Sequence, residues 1–375
     1  MRKILLPTID YPPARGGVAR YIGAILKTYP DQVVLLPLKK WQWKKLGNLV
    51  IFLAWKVRRY DAIWVHQVLP VGTAAMIVKK ITKKPYVVFL HGLDFDLARR
   101  SSWKRALTRR VLGSADRIVT NSQALATEVR AFVDLSREPL VIYPTVSDEL
   151  ITASKLPRTT SEKINLQKLG ELALGVSRAA TPLFVSTKTL TDGEGSTGRG
   201  TGLRLLTVAR LVERKGHLKV LDTLAKVPNA TYHIVGDGPM LGAIQAKVNE
   251  LGLGDRVTIT TNAGDEQLPD IYRAADVFVM PTTKTEHDRE GFGIVYLEAQ
   301  LFGVPVIATR HPGVDEAVHD GEGGILVSDT LQELLAALER LKDQTARSKF
   351  GARGRASVTH YFTREQQMYK LLELL

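Results

Sequence analysis

Short apolar runs alternate with helix-length amphipathic stretches along most of the chain. In the first half Lys3–Leu6, Val33–Leu36, Ala62–Val65, Tyr86–Leu90, Arg117–Thr120 and Leu140–Tyr143 read as strands. In the second half Leu203–Ala209, Thr231–Val235, Val257–Thr261 and Val277–Pro281 do the same. Strands separated by helical segments predict βαβ units, hence parallel sheets covered by helices. In such sheets ligands bind at the C-terminal ends of the strands. The alternation fails between Asp148 and Gly202, where Thr191–Gly200 is dense in Gly, Ser and Thr and reads as a loop or linker. The expected organisation is therefore a first α/β domain over residues 1–165, a second over 200–361, and a linker or insertion over 166–199.

A length of 375 residues agrees with two domains rather than one core. The chain has no cysteine, which excludes disulfides, thiolate catalysis and a Cys-based zinc site. Pro7 interrupts the N-terminal apolar run too early for a signal peptide, and no run approaches the roughly 20 apolar residues of a membrane span, so a cytoplasmic location is expected. Charge is placed unevenly. Residues 1–150 hold 25 Lys and Arg against 11 Asp and Glu, whereas residues 151–375 hold 27 of each. The whole formal excess of +14 thus belongs to the first half, which suits an anionic partner: a membrane surface or nucleic acid.

One segment favours the membrane. Residues 39–59 set an apolar centre, Leu49–Trp55, between Trp41, Trp43 and basic flanks, the composition of an interfacial segment. Lys79, Lys80, Lys83, Lys84, Arg99, Arg100, Trp103, Lys104 and Arg105 continue it. A core helix with a solvated basic end fits the same residues.

Candidate chemistry gathers in Glu290-Gly291-Phe292-Gly293-Ile294-Val295-Tyr296-Leu297-Glu298-Ala299-Gln300. The buried strand before it and the apolar spacing of Ile294, Leu297 and Leu301 after it describe a strand passing to a helix through two glycines. Such a turn opens backbone N–H groups and the positive end of a helix dipole to an anionic or hydroxyl-rich ligand. Glu290 lies at the mouth of the turn and Glu298 roughly two turns inside the helix, and each can accept two hydrogen bonds from a diol. Elsewhere, Gly16-Gly17 lies in a turn-rich loop after the first strand and could cradle a phosphate, and His91-Gly92 closes the strand Tyr86–Leu90. Arg210 and Lys215 flank the loop after Leu203–Ala209, where two cations could neutralise a diphosphate without any metal. Gly236-Asp237-Gly238-Pro239 is an incomplete glycine fingerprint, read as a strand-to-helix turn. Asp94-Phe95-Asp96 and Glu286-His287-Asp288 are weak metal motifs, and no metal site is assigned.

The glutamate pair eight apart, Gly-Phe-Gly after the first Glu, and Gly303-Val304-Pro305-Val306-Ile307-Ala308 after the second resemble the retaining GT-B glycosyltransferases of family four, a group that includes phosphatidylinositol mannosyltransferases. The resemblance covers most of the chain apart from residues about 150–200. It implies two facing Rossmann-like domains with a cleft between them, and a C-terminal segment, 362–375, crossing back to the first domain. It implies a nucleotide-diphosphate sugar, UDP- or GDP-linked, as co-substrate, with no cofactor or metal. Gly16, Gly17, Arg210, Lys215, Gly291, Phe292, Gly293 and Glu298 would bind the donor, Glu298 at the ribose, while Asn262 and Ala263 would meet the base. Glu290, His91, Arg210 and Lys215 would act at the transferred sugar and the leaving diphosphate. The acceptor would be a glycan or a lipid-linked molecule, and the enzyme peripheral on the inner face of the plasma membrane.

Three other readings stay open: a nucleotide-sugar epimerase of the same fold, a nicotinamide oxidoreductase, and a basic nucleic-acid binder. The charge asymmetry counts against the first, and the incomplete fingerprint against the second. The resemblance leaves no nucleic-acid partner expected.

Overall fold

The computed structural model describes residues 2–12, 16–39, 45–156, 202–283 and 290–375. The expected linker 166–199, most of the Lys40–Lys45 segment with Trp41 and Trp43, and Glu286-His287-Asp288 lie outside the described residues.

Two six-stranded, wholly parallel sheets form the framework. The first comprises β1 (Ile4–Thr8), β2 (Val33–Pro37), β3 (Ala62–Val65), β4 (Tyr86–Leu90), β5 (Arg117–Thr120) and β6 (Leu140–Val141), in the order β2-β1-β3-β4-β5-β6. The second comprises β7 (Arg204–Val208), β8 (Thr231–Val235), β9 (Val257–Thr260), β10 (Val277–Met280), β11 (Val306–Thr309) and β12 (Gly324–Val327), in the order β12-β11-β10-β7-β8-β9. Parallel strands with helices on both faces are buried on both sides, which is why β1, β3, β4 and β10 are continuous runs of buried residues.

In each sheet the chain starts in the middle and winds outward in both directions. The winding reverses between β1 and β3, in register at Ile4↔Ala62, and between β7 and β10, at Val277↔Leu205. Loops leaving two such neighbouring strands part to opposite sides, opening a crevice at the strands' C-terminal ends. The loop with Gly16-Gly17 follows β1, and Arg210–Lys215 and Glu290–Gly293 follow β7 and β10. All three sequence candidates therefore sit at switch points.

The two sheets have their own cores, and chain segments cross between them. Met368, Leu371 and Leu374, from a short helix Arg364–Met368 and a 3-10 turn Tyr369–Leu374, pack with Ile4, Leu6 and Trp64 in one core with the first sheet. Tyr29 Oη donates to the Met368 carbonyl at 2.8 Å, and Gln367 Oε1 accepts from the Tyr143 N–H at 3.0 Å. The helix Asp148–Lys155 differs from the sequence expectation. Placed there with residues 1–165, it instead packs Leu150 and Ile151 into the core of the second domain beside Tyr272 and Leu297. Its carbonyls accept from that domain's arginines, Ala153 from Arg273 at 2.5 Å and Ser154 from Arg355 at 2.7 Å.

Candidate active site

On the second domain's side, β7 leads into a loop ending in the 3-10 turn Glu213–Lys215. Lys215 is 7% exposed. Its ammonium and the Arg214 guanidinium, the latter at 2.5 Å, both contact Glu290 Oε2. Burial alone would raise the Glu290 carboxyl, but Lys215 and Arg214 outweigh it and hold the group below the usual carboxylate range. Arg210 is exposed and makes no side-chain hydrogen bond or ion pair with the described residues. The Gly236–Pro239 turn packs against the same loop, with Leu211 N–H donating to Asp237 O and Met240 N–H to Leu211 O.

The glycine turn after Glu290 has the form the sequence suggested. Gly293 precedes the helix Ile294–Leu301 at φ +85°, a conformation that disfavours any residue with a Cβ. Gly291 is needed for room: a Cβ there would lie 2.9 Å from the His91 carbonyl oxygen of the first domain. Phe292 is different from its neighbours. Its ring is buried against Tyr143 and Phe362, at 5.5 and 5.8 Å between centroids, so only its backbone is left to meet a ligand.

Glu298 projects from this helix into a buried position. Tyr272 Oη donates to its Oε2 at 2.7 Å, and Arg20 of the first domain pairs with its Oε1. Arg20 also reaches Asp265 at 3.3 Å. Glu298 and then Asp265 raise the guanidinium's pKa against the opposing effect of burial. Arg20 stands one turn into the helix Gly17–Thr28, its N–H donating to Gly16 O at 3.1 Å. A Cβ on Gly17 would sit 3.7 Å from Ile294 Cδ1. The Gly16-Gly17 loop and the start of the Glu298 helix therefore face each other across the cleft.

His91 closes β4 at the same meeting point. Its carbonyl accepts from Asn121 Nδ2 at 3.2 Å and its N–H donates to Asp94 Oδ1 at 2.9 Å. Its ring Nε2 lies 2.9 Å from Nδ1 of His66, which follows β3. Burial lowers His91 to about 4, so the imidazole is neutral near pH 7. Asp94 is occupied by that backbone bond, and burial pushes it up to about 7. Asp96 pairs with Arg99 at 2.5 Å. The Asp94-Phe95-Asp96 pair thus has local structural partners.

The structure brings Gly16, Gly17, His91, Lys215, Glu290, Gly291, Gly293 and Glu298 to one cleft, with Arg210 at the C-terminal end of β7. Sequence reasoning missed Arg20, Arg214, His66, Asn121 and Tyr272. Arg20 is four residues from Gly16 and hence on the same side of the helix start, Arg214 adjoins Lys215, and His66 ends a strand, which were the available signals. Tyr272 had none.

Two facing parallel α/β domains with loops from both switch points meeting in one cleft define the GT-B fold. Comparison with known proteins agrees and narrows the class. The family model for Glycosyl transferases group 1 matches residues 195–357, and that for Glycosyltransferase Family 4 matches residues 13–150. A GDP-mannose-dependent alpha-(1-6)-phosphatidylinositol monomannoside mannosyltransferase of Mycolicibacterium smegmatis is 30% identical over 94% of this chain and 92% of its own length. Its counterpart in Mycobacterium tuberculosis (strain H37Rv) is 26% identical over 100% of this chain and 98% of its own. Anabaena HepE, crystallised with UDP and glucose, superposes with a TM-score of 0.76 at 21% identity, over 100% of this chain and 99% of that one. The chain belongs to the group 1, family 4 glycosyltransferases.

Proposed function

We propose that this glycosyltransferase moves a hexose from a nucleotide-diphosphate sugar, UDP- or GDP-linked, to a glycan or lipid-linked acceptor at an anionic membrane surface, retaining anomeric configuration and requiring no metal. The observation that carries the reading is the pairing of two buried carboxylates with cations in one cleft, Glu290 with Lys215 and Arg214, and Glu298 with Arg20. A ligand bearing a diphosphate and two sets of hydroxyls satisfies both groups of charges. Lys215 and Arg210 take the diphosphate, Glu298 the ribose, Glu290 the hydroxyls of the sugar, and His91 lies beside that sugar. As the anomeric C–O bond to phosphate breaks, negative charge grows on the diphosphate next to Lys215 and the turn Gly291–Gly293, which stabilise it as fixed charges and dipoles. The acceptor oxygen forms the new bond on the departing group's own face, and its proton passes to a phosphate oxygen. GDP-mannose is the first donor to try, because the relatives named above depend on it.

The membrane part of the proposal rests on one face of the first domain. Ile51, Trp55, Ile81 and Trp103 are 72, 58, 63 and 62% exposed. They come from three neighbouring helices, Leu46–Lys56, Thr73–Thr82 and Ser102–Gly113, with Arg58, Arg59, Lys80, Lys83 and Arg105 exposed among them. Exposed aromatic and aliphatic groups ringed by cations match an anionic interface. Among the described residues no helix is long and apolar enough to cross a membrane.

The test begins with thermal stabilisation by UDP-, GDP- and ADP-sugars in the presence of EDTA, since a ligand that binds only the folded state raises the midpoint. A stabilising donor is then assayed for transfer to acceptors in anionic and neutral vesicles, with the product's anomeric configuration read by NMR. No stabilising donor, loss of binding in EDTA, an inverted product, or indifference to vesicle charge would each remove the corresponding part of the proposal.

A further inference from the structure

We propose that His66 is the positioning residue for His91: it holds the His91 imidazole in the tautomer that carries its proton on Nδ1, so that His91 presents a hydrogen-bond donor to the bound sugar. The inference rests on the reading that His91 lies beside the transferred sugar.

His66 follows β3, and β3 adjoins β1 at the switch point, so the residue lies under the cleft rather than in it. It is 1% exposed. Its ring is stacked on Phe89 at 4.5 Å with an interplanar angle of 11°, and its centroid lies 5.2 Å from that of His91 with 14° between the ring planes. Tyr21 meets the edge of both imidazoles, at 6.1 and 5.2 Å. Packing on these sides fixes the ring planes, and the 2.9 Å approach of His66 Nδ1 to His91 Nε2 fixes which nitrogens face each other.

Burial lowers both imidazoles, His66 well below the ordinary value, so both are neutral at pH 7 and one proton is shared between the facing nitrogens. Two arrangements are possible. If His91 Nε2–H donated, His66 would carry its own proton on Nε2, which is buried and has no hydrogen-bond partner among the described residues. If His66 Nδ1–H donates, Nε2 is a bare nitrogen and only an acceptor goes unused. A buried N–H without an acceptor is the rarer kind of orphan, which favours the second arrangement. His91 then accepts at Nε2 and carries its proton on Nδ1, and this Nδ1 makes no hydrogen bond within the described residues. A second group setting which imidazole nitrogen faces the ligand is the usual way a functional histidine is oriented.

The experiment is 15N NMR of the histidine rings in the full chain, with and without nucleoside diphosphate. The expected spectrum has His91 protonated at Nδ1 and bare at Nε2, with His66 the same, and His66→Phe should convert His91 to a mixture of tautomers. His66→Asn places an amide nitrogen near the Nδ1 position and should restore the single tautomer. Loss of an orienting partner typically lowers activity about 10–100-fold where ligating imidazoles are concerned. A fall in kcat of about that size with donor KM unchanged is expected for His66→Phe, and partial recovery for His66→Asn. A wild-type His91 protonated at Nε2, or already mixed, overturns the proposal, as does a His66→Asn variant no better than His66→Phe. If His66→Phe fails to fold, the wild-type spectrum and the Asn variant still decide. The NMR arm needs no turnover, so absence of sugar transfer would refute the function while leaving the tautomer question answered.

Discussion

Replacing Glu290 by Gln keeps the shape of the side chain and removes the charge that Lys215 and Arg214 share. Breaking a buried ion pair from one side costs about 3–5 kcal/mol. The Lys215 and Arg214 side chains are only 9 and 16% exposed, so neither regains its hydration without moving. Arg214, the more exposed of the two, has the shorter way to solvent, which places the cost near the lower end, about 3 kcal/mol. For a folding unit of this size 1 kcal/mol corresponds to about 2–4 °C, so the midpoint should fall by about 6–12 °C. A nucleoside diphosphate should reverse part of that loss. It brings negative charge to the same cations, so at saturating concentration its stabilising shift should be larger in Glu290→Gln than in the wild type. Differential scanning calorimetry with and without GDP and UDP measures both effects. An unchanged midpoint would refute the energetic argument, and an equal or smaller ligand shift in the variant would refute the assignment of Lys215 to the diphosphate.

Three more predictions follow from contacts on either side of the cleft. Glu316 accepts from the Gln123 and Ala124 N–H groups at 2.7 and 2.8 Å, capping the helix Gln123–Phe132 from the opposite domain. Glu316→Ala should cost about 0.5–2 kcal/mol, the worth of a helix cap, and speed amide exchange at Gln123 and Ala124; unchanged exchange would deny the contact. Burial lowers His91, His217 and His233 each to about 4, and below their ordinary 6.5 the unfolded chain takes up protons that the fold refuses, so stability should fall as pH drops from about 6.5 to 4. Asp94, raised to about 7, works against this over the same range but is outnumbered. His233→Gln should flatten the pH dependence of the unfolding free energy by up to about 1.4 kcal/mol per pH unit, and an unaltered slope would contradict the burial argument. Arg20→Met removes the cation from Glu298, and because Arg20 is 39% exposed the pair is worth only about 1 kcal/mol, so nucleoside diphosphate binding should tighten roughly fivefold by calorimetry. Weaker binding would place Arg20 on the ligand instead.

The framework was legible because buried parallel strands are written as uninterrupted β-branched and aromatic runs. Ala62–Val65, Tyr86–Leu90, Arg117–Thr120 and Thr231–Val235 have the bounds their residues suggest. β12 was not read, since Gly324-Ile325-Leu326-Val327 is short and opens on glycine. The helix Asp148–Lys155 has no clear signal in the sequence, where the bound 1–165 only groups its residues with the first domain, whereas burying Leu150 and Ile151 in one core with Tyr272 and Leu297 decides where it goes. At the candidate site, positions set by local geometry were readable, as the turn at Gly293 and the place of Lys215 after β7 show. The partners that reach a candidate from the other domain were not. Arg20 meets Glu298 across 278 positions, and nothing near either residue announces the other.

That limit has a physical root. A carboxylate buried for a ligand's sake is costly whenever the ligand is away, because desolvation favours its protonated form unless a cation compensates. Glu290 finds Lys215 and Arg214 within its own domain, from the loop that would also hold the diphosphate. Glu298 finds Arg20 in the facing domain. In their proposed roles the two glutamates therefore impose different demands on binding. A ligand can approach Glu290 by sharing cations already in place, but it can reach Glu298 fully only if Arg20 yields Oε1, and Arg20 moves with the first domain. On the proposed assignment of Glu298 to the ribose, nucleotide binding is coupled to the arrangement of the two domains through this ion pair.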